Sequence, residues 1–176
     1  LARLRIIVFR DWPYLYDGDL AYERRYLAKY AGMEDATIVV ARVDGRVVGA
    51  STALPLAMAE KEMQRPFLDA GLDPRDWYYF GESVLEAAHR GRGIGVAFFR
   101  AREERAAALG YRRTTFCAVE RPDDHPMRPA GYVPLDAFWT RRGYMRRPEL
   151  RANFDWRDIG ARAEAPHPMV FWTRQR

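Results

Sequence analysis

Apolar positions change their period several times along this chain, and each change marks an element. Leu1, Leu4, Ile7 and Val8 recur at helical spacing, so the chain opens in a helix that Asp11-Trp12-Pro13 ends. A second helix is predicted from Asp19 to Tyr30, with Leu20, Tyr26, Leu27 and Tyr30 on its apolar side and Gly32 just past its end. The period then shortens. Thr37 to Val43 and Arg46 to Leu54 are β-branched runs joined by Asp44-Gly45, a dipeptide suited to a two-residue hairpin. Met58 to Ala70 is mildly helical and is closed by Gly71 and Pro74. A strand over Trp77 to Leu85 follows, then a helix whose stripe is Ile94, Ala97, Phe98, Ala101 and Ala108, ended by Gly110. Thr114 to Val119 reads as another strand. Beyond a proline-rich loop from Arg121 to Pro134 come a short helix over Leu135 to Arg142, stopped by Gly143, and strands at Leu150 to Trp156 and Met169 to Thr173. This order is α/β, and the early hairpin excludes an all-parallel sheet. No repeat or linker divides the 176 residues, so a single domain over 1–176 is expected.

Between the strand ending at Leu85 and the helix starting at Ile94 lies Arg90-Gly91-Arg92-Gly93-Ile94-Gly95. Alternate glycines remove side chains where something must approach the backbone closely. The freed amides sit at a helix N-terminus, which carries about half a positive charge and unpaired N–H donors. Strand, turn and helix together suit a phosphate or pyrophosphate, and Arg90 and Arg92 can add charge-assisted contacts. Spacing excludes the common nucleotide loops. Gly93 and Gly95 are followed by Val96 and Ala97 rather than Lys-Ser/Thr, and no third glycine stands at Phe98 or Phe99 to complete G-x-G-x-x-G.

What remains is R-x-x-G-x-G, filled by Arg90, Gly93 and Gly95. It resembles the acyl-CoA-binding signature of the GNAT acetyltransferase superfamily, and the order of elements resembles that fold over nearly the whole chain. The resemblance implies a mixed central sheet flanked by helices and splayed between the strand leading to the glycine turn and the next strand. That fold usually opens with a strand before the first helix, so that strand either lies upstream of Leu1 or is lacking in this version. It also implies acetyl-CoA as acyl donor, no metal, and direct attack by an amine in a ternary complex. The amides of Arg90, Gly91, Arg92, Gly93, Ile94 and Gly95 would hold the pyrophosphate. Backbone N–H groups at Val84 and Leu85 would face the thioester carbonyl and stabilise its oxyanion, a role worth ~3 kcal/mol per donor.

The amine must lose a proton, and Glu82, set among Tyr79, Phe80, Val84 and Leu85, is the candidate base. A strand glutamate can instead pair with a core arginine. Strand alternation places Glu82 opposite Leu85, and relatives often carry the base at the position of Tyr79, so a bulge would be needed to aim Glu82 at the substrate. Glu120 and His125 are the other candidates. The segment in which relatives carry a tyrosine acid reads Trp139-Thr140-Arg141-Arg142-Gly143-Tyr144, so the role of general acid passes to Tyr144, to Tyr132 or to water. Tyr79, Arg121, His125, Arg128 and Tyr132 are expected at the acceptor, the arginines as counter-charge for an amine that also bears a carboxylate, with the proline-rich loop as lid or wall. Cys117 is expected as a buried structural cysteine rather than an acyl carrier.

Composition changes this picture little. The net charge of +5 invites a nucleic-acid role, but the basic residues are 27 Arg and two Lys, a skew that a GC-rich coding sequence also produces, and they are scattered. Neither nucleic acid nor membrane is expected as a partner, and no leader or apolar span is legible. The single cysteine excludes an internal disulfide and suits a cytoplasmic protein. The expectation is therefore an N-acetyltransferase acting on a small-molecule primary amine, with a homodimer compatible with that class. The rivals are a CoA-binding module without turnover and a protein N-acetyltransferase.

Overall fold

A computed structural model describes residues 1–176. Helix α1 spans Ala2–Phe9 and α2 Leu20–Ala31, the latter capped by the Asp19 carboxylate, which accepts from the Tyr22 amide at 2.7 Å. Strands β1 (Thr37–Val43) and β2 (Arg46–Pro55) form the expected hairpin, with Asp44 and Gly45 both at positive φ (49° and 77°). A single 3₁₀ turn leads into α3 (Lys61–Asp69), so the mildly helical stretch is two pieces rather than one. Then come β3 (Trp77–Leu85), α4 (Ile94–Ala108), β4 (Arg113–Val119), α5 (Asp136–Arg141), β5 (Met145–Trp156) and β6 (Ala165–Gln175). The six strands make one sheet in the order β1-β2-β3-β4-β6-β5, in which only β3 and β4 run parallel.

The last two strands are longer than their apolar runs suggested. Pro166 and Pro168 both lie in β6, upstream of the apolar run at Met169. The Pro168 carbonyl accepts from the Glu120 amide just past the end of β4, so its missing N–H lies on the side where no further ladder runs.

One face of the sheet packs on α2 and α3 through Tyr30, Leu54, Met63, Phe67, Tyr79, Leu150 and Phe171. The other packs on α4 and α5 through Tyr78, Phe80, Phe99, Phe116, Tyr144 and Trp172. Helix α1 covers Ala50 and Val84 with Leu4. Two irregularities interrupt the pairing of β3. Its ladder with β4 stops after three residue pairs, Trp77↔Arg113 to Tyr79↔Thr115, so the two strands part beyond Tyr79. Its register with β2 slips between Ser51↔Ser83 and Ala53↔Phe80, which leaves β3 one residue longer than its partner at Gly81-Glu82.

The loop before α2 is latched to the far end of the sheet. Arg121 donates to both oxygens of Asp158 (2.8 and 2.7 Å) and to the carbonyls of Pro13 (2.9 Å) and Tyr14 (2.7 Å). His167, 6% exposed, stacks on Trp156 at 3.8 Å and lies 3.4 Å from Asp158. Burial first, and then Arg121, hold the imidazole below its usual value against the pull of Asp158. The unfolded chain therefore takes up a proton below its ordinary value of 6.5 that the folded chain refuses. Stability contributed by neutral His167 is full above that value and declines as pH falls below it. The thermal midpoint should drop between about pH 7 and about pH 5, and His167→Phe, which keeps the stack, should flatten that slope.

Candidate functional site

The site is built where β3 and β4 part, and the bulge decides which side chains reach it. Phe80 faces α4 in the aromatic core, so unbroken alternation would send Glu82 and Val84 to the same side. The extra residue reverses them. Glu82 points instead to α1 and α2, where its Oε2 forms an ion pair with Arg5 Nη1 at 2.7 Å and accepts from the Tyr26 hydroxyl at 3.1 Å, while Ser83 points to α4. Gly81 is required at this turn of the chain, because a Cβ there would lie 2.6 Å from Thr52 Oγ1 and 2.7 Å from the Tyr30 hydroxyl.

A bulge strands backbone groups, and a residue from α4 satisfies them. Arg102, 1% exposed, donates through Nη1 to the carbonyls of Thr52 (3.3 Å) and Glu82 (3.2 Å) and through Nη2 to Ser83 Oγ (2.9 Å). Its guanidinium also lies over the rings of Phe80 (4.4 Å) and Phe99 (5.0 Å). Burial pulls it down to about 10, so it remains charged near neutral pH. Glu82 is held from the other face. Arg5 bridges it to Glu23, which is wholly buried. Burial alone would lower Arg5, but the surrounding Glu82, Tyr26 and Glu23 hold it above the ordinary arginine value. The strand glutamate thus has its core arginine, and still keeps one oxygen, Oε1, buried and without a partner.

Backbone direction at β3 revises the oxyanion expectation. The Glu86 amide donates to the Val48 carbonyl at 3.0 Å. Alternation turns the Val84 amide toward β2 as well, and the amides of Ser83 and Leu85 into the gap. Val84 is therefore spent in the ladder, and Ser83 takes its place beside Leu85.

The glycine turn has the expected form. Gly91 and Gly93 have φ of 74° and 80°, and an added Cβ at either would meet nothing within 4 Å. Both hold a positive φ that the turn needs, and both face open space. Helix α4 has no side-chain N-cap and no acidic residue in its first turn, so the amides at Ile94 and Gly95 keep their dipole uncompensated. Arg90 is partly engaged, its Nε donating to the Leu85 carbonyl at 3.3 Å, whereas Arg92 is exposed.

Several expected side chains are placed elsewhere. Tyr144 is 1% exposed and hydrogen-bonds Thr114 Oγ1 (2.9 Å) and Glu103 (3.2 Å) on the α4 side, at the paired end of β4. Burial raises its phenol above the usual range. It does not face the gap, and its role as general acid falls. Trp139, in the place of the usual tyrosine, packs between Phe116 and Trp172, 5.1 Å from each. Arg121 is spent on Asp158 and the Pro13–Tyr14 carbonyls, and Arg128 pairs with Asp123, so neither offers a free fork to a carboxylate. Glu120 is taken by Arg146 and Arg151. His125 accepts the Met127 amide on Nδ1 at 3.2 Å and lies 5.1 Å from Trp12, whose ring also meets Tyr132 at 5.9 Å. His125 and Tyr132 therefore form an aromatic wall against the loop before α2. Tyr79 crosses beneath the gap, its hydroxyl 3.3 Å from Cys117 Sγ. Burial pushes the Cys117 thiol up to about 11, which leaves it protonated and no nucleophile. Tyr14 was not singled out by its sequence context. Burial raises its phenol, and Cys117, Tyr132 and Glu82 lie close enough to raise it further.

The acetyltransferase (GNAT) family model matches residues 2–130. No curated protein matches the sequence. Among solved structures, a ribosomal-protein-alanine N-acetyltransferase from Brucella melitensis superposes with a TM-score of 0.62 at 16% identity, over 99% of this chain and 93% of that one. An aminoglycoside 6′-N-acetyltransferase complexed with coenzyme A gives 0.60 at 14%, over 99% and 89%. A GNAT family acetyltransferase from Elizabethkingia anophelis with acetyl-CoA bound gives 0.54 at 9%, over 92% and 86%.

The Tyr144 placement is testable. Tyr144→Phe should lower the thermal midpoint, by the equivalent of about 1 kcal/mol for the lost hydrogen bonds, and leave the pH dependence of any acyl transfer unchanged. Loss of the alkaline limb in that variant would restore it as the acid.

Proposed function

Because the chain belongs to the GNAT acetyltransferase family, we propose that it transfers an acetyl group from acetyl-CoA to the primary amine of a small molecule. The observation that carries this reading is the parting of β3 and β4 after Tyr79 beside an uncapped, glycine-turned helix N-terminus. The gap receives the pantetheine arm, and the amides from Gly91 to Gly95 receive the pyrophosphate. Similar solved folds that carry coenzyme A or acetyl-CoA support a CoA thioester as donor.

In the transfer, the amine nitrogen attacks the thioester carbonyl carbon from the α1–α2 face. The new C–N bond forms, the carbonyl oxygen takes the negative charge, and the Ser83 and Leu85 amides receive it. Collapse breaks the C–S bond and releases CoA thiolate. The proton lost by the nitrogen goes to Glu82 Oε1, the carboxylate oxygen left free by Arg5 and Tyr26. The thiolate takes its proton from water, since Tyr144 is turned away and Trp139 cannot donate one. The products are the N-acetyl amine and CoA.

Two measurements test the assignment. Gly93→Glu places a carboxylate at a positive-φ position in the cradle. It should abolish acetyl-CoA binding by calorimetry with the fold intact by circular dichroism, and retained binding would remove the cradle assignment. Glu82→Gln keeps the hydrogen-bonding shape while Glu23 still partners Arg5. It should reduce kcat by roughly 10²–10⁴ and eliminate the acidic limb of the pH–rate profile. Unchanged turnover and profile would show that Glu82 is not the base.

A further inference from the structure

Outside the donor cradle, the feature with most shape is a cleft of ≈ 170 Å³ enclosed by α2, α3 and β3. Met33, Leu54, Met58, Met63 and Phe154 form its walls, and Tyr79 its floor. One end is polar in a specific way. The Tyr26 and Tyr30 hydroxyls lie there 3.0 Å apart, and Tyr26 hands its hydrogen bond on to Glu82 at 3.1 Å. At the outer end Lys29 and Glu60 pair at 2.7 Å, so the one lysine near the mouth is already neutralised.

We propose that this cleft is the acceptor subsite, and that the acceptor class is an arylalkylamine, its ring in the cleft and its amine toward Glu82. This rests on the acetyl-transfer reading and deepens it. Size selects the occupant. A cavity of about 150 Å³ lined by aliphatic and aromatic side chains holds one benzene ring, so a cleft of ≈ 170 Å³ has room for one ring. Charge selects its head group. The buried cluster of Arg5, Glu23 and Glu82 holds one guanidinium against two carboxylates, and Glu82 Oε1 has no partner. An ammonium group arriving past Tyr26 finds an acceptor in this oxygen. An acceptor carboxylate finds no free cation here, because Arg121, Arg128 and Lys29 are each paired. Tyr79, which floors the cleft and reaches Cys117 under the gap, joins this subsite to the place where the thioester would lie.

The test uses 2-phenylethylamine and ethanolamine as probes, with acetyl-CoA as donor. The wild type should show a kcat/KM for 2-phenylethylamine at least tenfold above that for ethanolamine. Filling the cleft by Ala59→Trp, or by Met58→Trp should the first variant fold poorly, should cut that ratio at least tenfold while the acetyl-CoA Kd is retained. Binding is read separately, as the thermal shift produced by each amine with CoA present. A shift with 2-phenylethylamine in the wild type, lost in the filled variants, supports the subsite even if no CoA is released, in which case only the acetyl-transfer reading fails. No shift with 2-phenylethylamine in the wild type, equal shifts in wild type and filled variants, or a preference for ethanolamine overturns the subsite.

Discussion

One extra residue in β3, at Gly81-Glu82, is the constraint on which the candidate site depends. Every side chain and every amide beyond it on that strand is turned by one position relative to an unbroken strand. Without the bulge, Glu82 would enter the aromatic core under α4, on the side where Phe80 and Phe99 pack. With it, Glu82 meets Arg5 and Tyr26, Ser83 meets Arg102, and the Ser83 and Leu85 amides face the gap. The bulge survives because both of its costs are met locally. Glycine removes the steric clash with Thr52 and Tyr30, and the Arg102 guanidinium donates to the orphaned carbonyls.

Two buried arginines thus hold the strand from opposite faces, with different chemistry. Arg102 has no carboxylate partner among its contacts and is held by carbonyl oxygens and two aromatic faces. Arg5 sits between two carboxylates and leaves them with net negative charge. The first arrangement positions backbone, and the second pairs two carboxylates with one guanidinium on the α1–α2 face. Glu23 Oε1 and Glu82 Oε1 are both buried without a partner, an arrangement that is expensive to maintain.

The glycine turn and the two loops that meet across the sheet lie at separate places along β3. The glycine turn and α4 face one end of the parted strands, while the loop before α2 and the proline-rich loop meet over the other face through Trp12, His125 and Tyr132. Arg121 ties those loops together through Asp158 and the Pro13 and Tyr14 carbonyls. The loop contributes shape and shelter rather than charge, and the arginines that suggested a carboxylate clamp are internal fasteners.

Residues near one another in sequence were readable without the fold. The Asp44-Gly45 turn, the limits of β3 and the glycine spacing all follow from local backbone preference, and the family followed from that spacing and the order of elements. What tertiary structure alone decided was which polar groups find partners. Arg102 interrupts the apolar stripe that holds Phe98 and Ala106, Arg5 the one that holds Leu1 and Val8, and Glu23 the one that holds Leu20 and Leu27. A charge on an apolar stripe was the available sign of a buried network, but its partners lie 18 to 77 residues away and only packing could name them. The same holds for Tyr144, whose hydroxyl is spent on Thr114 and Glu103, and for Val84, whose amide is spent on β2. Local sequence determines backbone shape because sterics act between neighbours. The direction of a side chain at a site depends on register, and register is settled only when the strands pair.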